Sequence, residues 1–496
     1  MFESAELGHA IDKETYDAQV PALREALLAA QYEITSQKKF PIIIVVGGVD
    51  GAGKGETVNL LNEWMDARHI QTHAFGKPSD EETARPPMWR FWRALPPKGK
   101  IGIFFGAWHT LPILWRAYGE IGNAELDQAT DEVARFERML ALEGALVIKF
   151  WFHISKSVQK KRLKALSRDP LTRWRVTKQD WKHFELYDKF RKVSERALRR
   201  TSRAHAPWIV IEGEDERFRA LTVGRELLEA MKARLAAEAA PAPASEPEPV
   251  MAEPSLDGKN VLGSLDLTQK LEKKDYEQRF EELSGKLNRL SRHKRFKKRS
   301  LVCVFEGSDA AGKGGAIRRV TSALDARHFT IVPIAAPTEE ERAQPYLWRF
   351  WRHVAGKGRI TIFDRSWYGR VLVERIEKFC TVSDWTRAYE EINDFEEQLV
   401  RHGAVVAKFW LHISPDEQLL RFKAREETGF KHYKITAEDW RNREKWNGYE
   451  VAVSDMVDRT STEIAPWTLV ESNDKYFARV KILETLVGRL EDALER

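Results

Sequence analysis

The strongest constraint on the fold is that the chain is written twice. The apolar run Pro41-Ile42-Ile43-Ile44-Val45-Val46 leads into Gly48-Val49-Asp50-Gly51-Ala52-Gly53-Lys54-Gly55, and Leu301-Val302-Cys303-Val304-Phe305 leads into Gly307-Ser308-Asp309-Ala310-Ala311-Gly312-Lys313-Gly314. A constant shift of 259 positions carries Lys54 onto Lys313, Trp89-Arg90-Phe91-Trp92-Arg93 onto Trp348-Arg349-Phe350-Trp351-Arg352, and Ala206-Pro207-Trp208 onto Ala465-Pro466-Trp467. Loops accept insertions readily, so a shift that never changes means two copies of one fold.

The domains that follow are 1–235 and 259–496, joined by a stretch at 236–258 whose Ala, Pro and Glu cannot bury a core and which reads as an extended linker. In the second copy a charged amphipathic helix is expected near Lys274 to Lys298. Short apolar strands are expected at Leu301–Glu306, Phe329–Pro333, Arg359–Phe363, Val405–Trp410 and Trp467–Val470, with long helices such as Trp385–Arg401 and Ala437–Val457 between them. Strands alternating with helices predict a parallel sheet covered on both faces. The expected fold is a P-loop kinase-like three-layer α/β/α sandwich, present as a tandem duplication.

The phosphate chemistry is concentrated in a few residues. Gly307, Gly312 and Lys313 have the spacing of a loop whose backbone N–H groups wrap phosphates at a helix N-terminus, with Lys313 adding a point charge. Gly314 stands where such loops usually carry a Ser or Thr for Mg²⁺, so the metal must be held elsewhere. Asp309, an anion inside an anion-binding loop, is resolved if it faces that Mg²⁺. A second carboxylate, Asp364, ends a predicted strand and begins Asp364-Arg365-Ser366-Trp367-Tyr368-Gly369-Arg370; ligands of open α/β sheets collect at that edge. Arg365 and Arg370 offer planar forks of donors to phosphoryl oxygens. Downstream, Arg421, Lys423, Arg425, Lys431 and Lys434 form a basic stretch suited to a lid.

Other features read more simply. The run Arg292 to Arg299 is a solvated helix end in preference to a polyanion collector, and the tryptophans of the repeated Trp-Arg-Phe-Trp-Arg boxes are packing, with Arg349 and Arg352 open to phosphate. The net charge of +6 tilts partners toward anions without choosing among nucleic acid, phosphorylated metabolites and polymers. Two cysteines imply neither a disulfide framework nor a zinc site. No apolar run approaches the ~18 residues of a membrane span, and the N-terminus carries no targeting pattern, so a cytoplasmic protein without a membrane partner is expected.

Taken together, the loop, the Asp364-to-Arg370 segment, Ala465-Pro466-Trp467 and Asn473-Asp474-Lys475 resemble the polyphosphate kinase 2 family, over almost all of the second copy and the first in outline. The tandem layout resembles the two-domain members, which phosphorylate AMP to ADP from inorganic polyphosphate. The resemblance implies Asp309, Lys313, Asp364 and Arg365 at the catalytic centre, Mg²⁺ on the two aspartates, and Arg370, Lys475 and the lid on phosphate. It also implies polyphosphate and AMP/ADP as partners. A homo-oligomer is expected and nucleic acid is not, because a pure binder has no need of a metal-holding carboxylate. The rival activity is an ATP-dependent nucleoside-monophosphate kinase.

The first copy departs where it matters. At the shift of 259, Asp364 becomes Phe105, Arg365 becomes Gly106, Ser366 becomes Ala107, Arg370 becomes Leu111 and Lys475 becomes Glu216, while Asp50 and Lys54 remain. A centre without its strand-end carboxylate and arginine is expected to be catalytically silent.

Overall fold

A computed structural model of the chain describes residues 1–239, 260–427 and 437–495. It divides into two compact units. The first takes in Met1–Pro78, the first-half residues from Arg90, and the segment Pro337–Trp348; the second takes in Ser79–Trp89 and the remaining second-half residues.

Each unit is built on a five-stranded parallel sheet. In the first, β1 (Ile42–Gly48), β2 (Ile70–Ala74), β3 (Ile101–Phe105), β4 (Leu146–His153) and β5 (Trp208–Glu212) lie in the order β2-β3-β1-β4-β5. The second repeats this with β6 (Ser300–Gly307), β7 (Phe329–Pro333), β8 (Ile360–Asp364), β9 (Ala404–His412) and β10 (Trp467–Glu471) in the order β10-β9-β6-β8-β7. The central strands β6 and β9 are buried along almost their whole length, as continuous Val, Leu, Phe and Ala runs require when helices cover both faces of a parallel sheet. The edge strand β7 keeps only Val332 buried. Leu301, Cys303 and Phe305 of β6 join Leu287 of the helix Lys273–Ser291 and Leu483, Leu486 and Leu490 of the helix Lys475–Glu495 in one core. Both units are thus P-loop kinase-like α/β sandwiches. Each loop that follows its first strand opens a helix, Lys54–Trp64 or Lys313–Ser322.

Three expected elements take a different form. The helix expected over Ala437–Val457 is two helices, Ala437–Glu444 and Trp446–Thr460, interrupted at Lys445. The basic run after Ser291 leaves the α-helix: Lys294–Lys298 is a 3-10 turn with Phe296 buried, and the Arg295 guanidinium donates to the carbonyls of Leu494 and Glu495 at the end of the last helix. Packing of Phe296 and capping by Arg295 explain that run. The helix Glu216–Ala239 continues through Ala236–Ala239, at the start of the stretch read as linker, because Ala and Glu favour helix; the rest of that stretch lies outside the described residues.

In the Trp-Arg-Phe-Trp boxes, Phe350 and Trp351 are buried and the Trp351 ring meets Phe395 edge-on at 4.8 Å. Arg349 donates to the Ala335 carbonyl at 3.0 Å. The tryptophans pack as expected.

Each unit holds a buried ion pair whose lysine lies on an inner strand, β4 or β9. Lys408 Nζ donates to Glu396 Oε2 at 2.7 Å, to the Tyr368 hydroxyl at 2.8 Å and to the Thr460 carbonyl at 2.7 Å. Trp367 Nε1 and the Tyr368 hydroxyl both donate to Glu396 Oε1, at 3.1 and 2.7 Å. The first unit repeats the pair with Lys149, Glu137 and Trp108. Burial pushes the Lys408 ammonium below its ordinary pKa, and Glu396 opposes that shift.

Gly307 cannot be replaced without damage. It adopts φ +153°, and a Cβ there would stand 2.4 Å from the Leu411 carbonyl oxygen. Gly314, in the first helical turn, has nothing within 4 Å of the same atom. Gly307→Ala is therefore expected to lower stability by ~1–3 kcal/mol, and Gly314→Ala to leave it equal or raise it by up to ~1 kcal/mol. Urea unfolding of the two variants checks this; equal midpoints would contradict it.

Candidate active site

The carboxyl edge of the second sheet holds two chambers that share three residues. One, about 90 Å³, is walled by Leu262, Leu372, Val373, Trp446, Tyr449 and Val453, with Glu306, His412 and Asn442 among its polar groups. The other, about 550 Å³, is a channel lined by the loop backbone from Ala310 to Gly315 and by Arg318, Arg421, Arg425, Lys475 and Arg479. Asp309, Lys313 and Arg365 line both. A largely apolar pocket and a basic channel therefore meet at one aspartate, one lysine and one arginine.

The meeting point is held from several elements. Asp309 Oδ2 accepts from Asn442 Nδ2 at 2.9 Å, its backbone carbonyl accepts from Gln418 Nε2 at 3.1 Å, and its Oδ1 lies 3.6 Å from Arg365 Nη2. Lys313 Nζ donates to the Gly307 carbonyl at 2.6 Å. Burial depresses the Lys313 pKa, with Asp309 the leading charge that opposes it. Arg365 holds φ +63°, a left-handed conformation uncommon for a non-glycine residue. Its neighbour Ser366 donates Oγ–H to Glu306 Oε1 at 2.8 Å and accepts from the Tyr368 N–H at 3.3 Å, which pins the turn that carries Arg365. Glu306 is buried, and burial raises its pKa against the Ser366 hydrogen bond.

Most of the residues singled out in the sequence come together here. Asp309, Lys313, Asp364, Arg365, Gly312, Gly314, Arg425 and Lys475 all line the channel, and Gly307 lines the smaller pocket. Arg370 lines neither; its Nε stands 2.9 Å from Glu374 Oε2. Arg349 and Arg352 also line neither chamber. Lys431 and Lys434 lie outside the described residues. Arg421, read as part of a lid, is instead a buried brace: it donates to the carbonyls of Ala310 at 2.9 Å, Ser472 at 2.7 Å and Asn473 at 2.8 Å, and its Nε to Glu417 Oε1 at 2.6 Å.

Sequence reasoning missed Glu306, Asn442, Arg318 and Arg479. A signal for the last two was available in the duplication. At the shift of 259, Arg318, Arg425, Lys475 and Arg479 become Asn59, Leu166, Glu216 and Ala220, so among the described residues four of the five cations lining the channel alone have no cationic counterpart in the first copy.

The first unit keeps the pocket and fills the mouth of the loop. A cavity of about 230 Å³ is lined by Phe75, Phe105, Tyr118, Phe190 and Trp208, with Asp50, Lys54 and His183 among its polar groups. His183 Nδ1 is 2.8 Å from Asp50 Oδ2, and Lys54 Nζ donates to Asp50 Oδ1 at 3.3 Å. Against the cost of desolvation, Lys54 and His183 hold the Asp50 carboxyl well below the usual carboxylate range. Over Gly53 lies Arg219, placed so that a glycine Cβ would fall 2.1 Å from its Cζ; it donates to Thr57 Oγ1 at 3.1 Å, the Gly213 carbonyl at 3.0 Å and Glu56 Oε2 at 2.7 Å. The second unit has Ala478 and Gly315 at the positions of Arg219 and Glu56, which leaves its loop open to the channel.

Among the described residues no cluster of three or more His, Cys, Asp and Glu side chains is arranged to hold a metal. Asp309 and Asp364 are two hard-oxygen donors in an otherwise basic channel. That set fits Mg²⁺, which takes one or two carboxylates and completes its octahedron with water and substrate phosphates. No helix among the described residues is long and apolar enough to cross a membrane.

Comparison with known proteins agrees with this geometry. The family model described as polyphosphate kinase 2 matches residues 10–239 and again 270–496. The chain is 61% identical to a polyphosphate:AMP phosphotransferase of Pseudomonas aeruginosa, with all of both chains covered, and 36% identical to one of Acinetobacter johnsonii over 94% of each. A crystal structure of a polyphosphate kinase 2 from Pseudomonas aeruginosa superimposes with a TM-score of 0.90 at 58% identity, covering 100% of this chain and 99% of that one. With the family's pattern matched in both halves and a whole-length relative at this identity, the chain belongs to the polyphosphate kinase 2 family.

Proposed function

We propose that the second unit transfers the terminal phosphoryl group of inorganic polyphosphate to AMP and releases ADP. The observation that carries this reading is the pair of chambers meeting at Asp309, Lys313 and Arg365. A polymer of phosphates suits the long channel of cations, and a nucleoside suits the pocket with Trp446 and Tyr449, as aromatic side chains stack on bases. The named activity of the relatives from Pseudomonas and Acinetobacter supports the same donor and acceptor.

At the meeting point an oxygen of the AMP phosphate attacks the terminal phosphorus in line. The bond to the bridging oxygen breaks, and the polymer, one unit shorter, leaves with the electron pair. The attacking oxygen is already anionic at neutral pH, so no strong base is needed. Lys313 and Arg365 face the equatorial oxygens, where charge spreads in the transition state, and the loop N–H groups hold the donor's end. Asp309 and Asp364 would hold Mg²⁺, which when bound neutralises and aligns phosphate oxygens. Glu306 and Ser366 fix the turn of Arg365, and Asn442 fixes Asp309. The first unit, with Phe105 and Gly106 at the strand end and Arg219 over its loop, serves as a non-catalytic partner of the second.

The test supplies purified protein with AMP and Mg²⁺ and either polyphosphate or ATP. ADP is expected with polyphosphate; ADP formed from ATP and AMP alone would overturn the reading.

A further inference from the structure

The unit that lacks the strand-end residues carries, on one helix, far more positive charge than its twin. Its helix Lys156–Arg168 carries six cations and no carboxylate, whereas the equivalent Pro415–Glu427 of the second copy carries three cations and four carboxylates. Lys160, Lys161 and Arg168 replace Leu419, Leu420 and Glu427, and Ser157 replaces Asp416. Lys156, Lys160, Lys164 and Arg168 recur every fourth residue and are all exposed. At that spacing they share one face of the helix and form a row about 18 Å long. Lys156 pairs with Asp188, but Lys160, Lys164 and Arg168 have no ion pair among the described residues. Such a row costs self-repulsion in the folded state, and a helix needing only solubility would intersperse carboxylates, as its twin does.

We infer that this row is a second binding site for inorganic polyphosphate, separate from the catalytic channel. A linear row of cations matches a linear polyanion, and binding releases the counterions condensed on the polymer, so affinity falls steeply with salt. No atom of the donor reacts there. Because both units belong to one chain, a polymer held on the row raises the donor's effective concentration for the catalytic unit. The gain exists only for chains long enough to engage both. The inference rests on polyphosphate being the donor.

The test is the full-length triple variant Lys160→Glu/Lys164→Glu/Arg168→Glu. For polymer of several hundred units its KM is expected to rise ~10-fold, with kcat and the KM for AMP unchanged, and with short donors of about ten units unaffected. Raising salt should bring the wild type toward the variant. An unchanged KM at every chain length, or an equal loss with short and long donors, would overturn the site. A triple Gln variant, which only neutralises the row, repeats the test if the reversal does not fold. Direct retention of long polyphosphate without AMP, stronger in the wild type than in the triple variant, scores the row independently of turnover, so a wild type that outbinds the variant yet makes no ADP would fault the proposed reaction and leave the row standing, and equal retention would overturn the row. Displacement of the polymer by single-stranded DNA at equal or lower phosphate concentration would assign the row to nucleic acid and overturn the inference.

Discussion

Lys313→Ala lowers kcat/KM for ADP formation from polyphosphate by at least ~100-fold, while Lys54→Ala, the same change at the same place in the first unit, leaves it within about twofold. The asymmetry follows from what surrounds each lysine. Lys313 lines both chambers and stands among Asp309, Asp364 and Arg365. Lys54 faces Asp50 beneath a loop whose mouth is taken by Arg219, next to a strand end that carries Phe105 and Gly106. Asp364→Asn should lose as much as Lys313→Ala, since it keeps the shape of the strand end and removes its charge. Steady-state rates with saturating Mg²⁺ and a polymer of fixed length measure all three. Equal losses from Lys54→Ala and Lys313→Ala would end the division of labour between the units.

Glu396→Ala is expected to destabilise the second unit by ~3–5 kcal/mol, a large part of the ~5–15 kcal/mol that holds a typical domain together. Lys408 and Glu396 are 0% and 1% exposed, so removing the carboxylate leaves an ammonium buried with its charge unmatched. It also strips the acceptor from Trp367 and Tyr368, which immediately follow the turn of Arg365, so activity should fall with stability. The double variant Glu396→Leu/Lys408→Met removes both charges and should recover most of the stability but not the activity. Glu137→Ala, which breaks the twin pair with Lys149, should cost the first unit a similar amount and leave the donor reaction nearly intact at temperatures where that unit stays folded. Urea unfolding followed by tryptophan fluorescence, with rates measured on the same preparations, separates these outcomes. A Glu396→Ala protein as stable as wild type would contradict the account.

The sequence was most legible where one force acts locally. Phe329–Pro333 has the predicted bounds, and the other four second-copy strands begin and end within two residues of expectation, because a short apolar run between helices leaves little choice of register. The loop and Asp364-Arg365 were legible for a similar reason: their chemistry is written in consecutive residues. The interruption at Lys445 was not, since the poor helix former of this stretch, Gly448, lies inside the second helix and not at the break; the break accompanies the tertiary contact of Asn442 with Asp309. The channel was half legible. Lys475 belongs to a recognisable segment, and Arg318 sits on the helix that the loop opens without any motif to mark it, but Arg479 becomes a neighbour of the loop only through the packing of the last helix against that one. Arg421 misled because a basic residue in a basic stretch reads as solvated, and its spacing does not reveal that three backbone carbonyls from two distant segments surround it.

The turn after the third strand limits what the first unit can be made to carry. In the second unit Arg365 holds φ +63°, and in the first Gly106 holds φ +73°, so the two units share the bend and only the second presents a side chain on it. Glycine relieves the strain of that bend. Yet a Cβ at Gly106 would stand 2.6 Å from the Phe75 carbonyl oxygen, so the first unit leaves no room for a side chain at this turn. Phe105→Asp with Gly106→Arg would therefore not by itself arm the first unit, because the backbone at Phe75 would have to move to admit the new side chain.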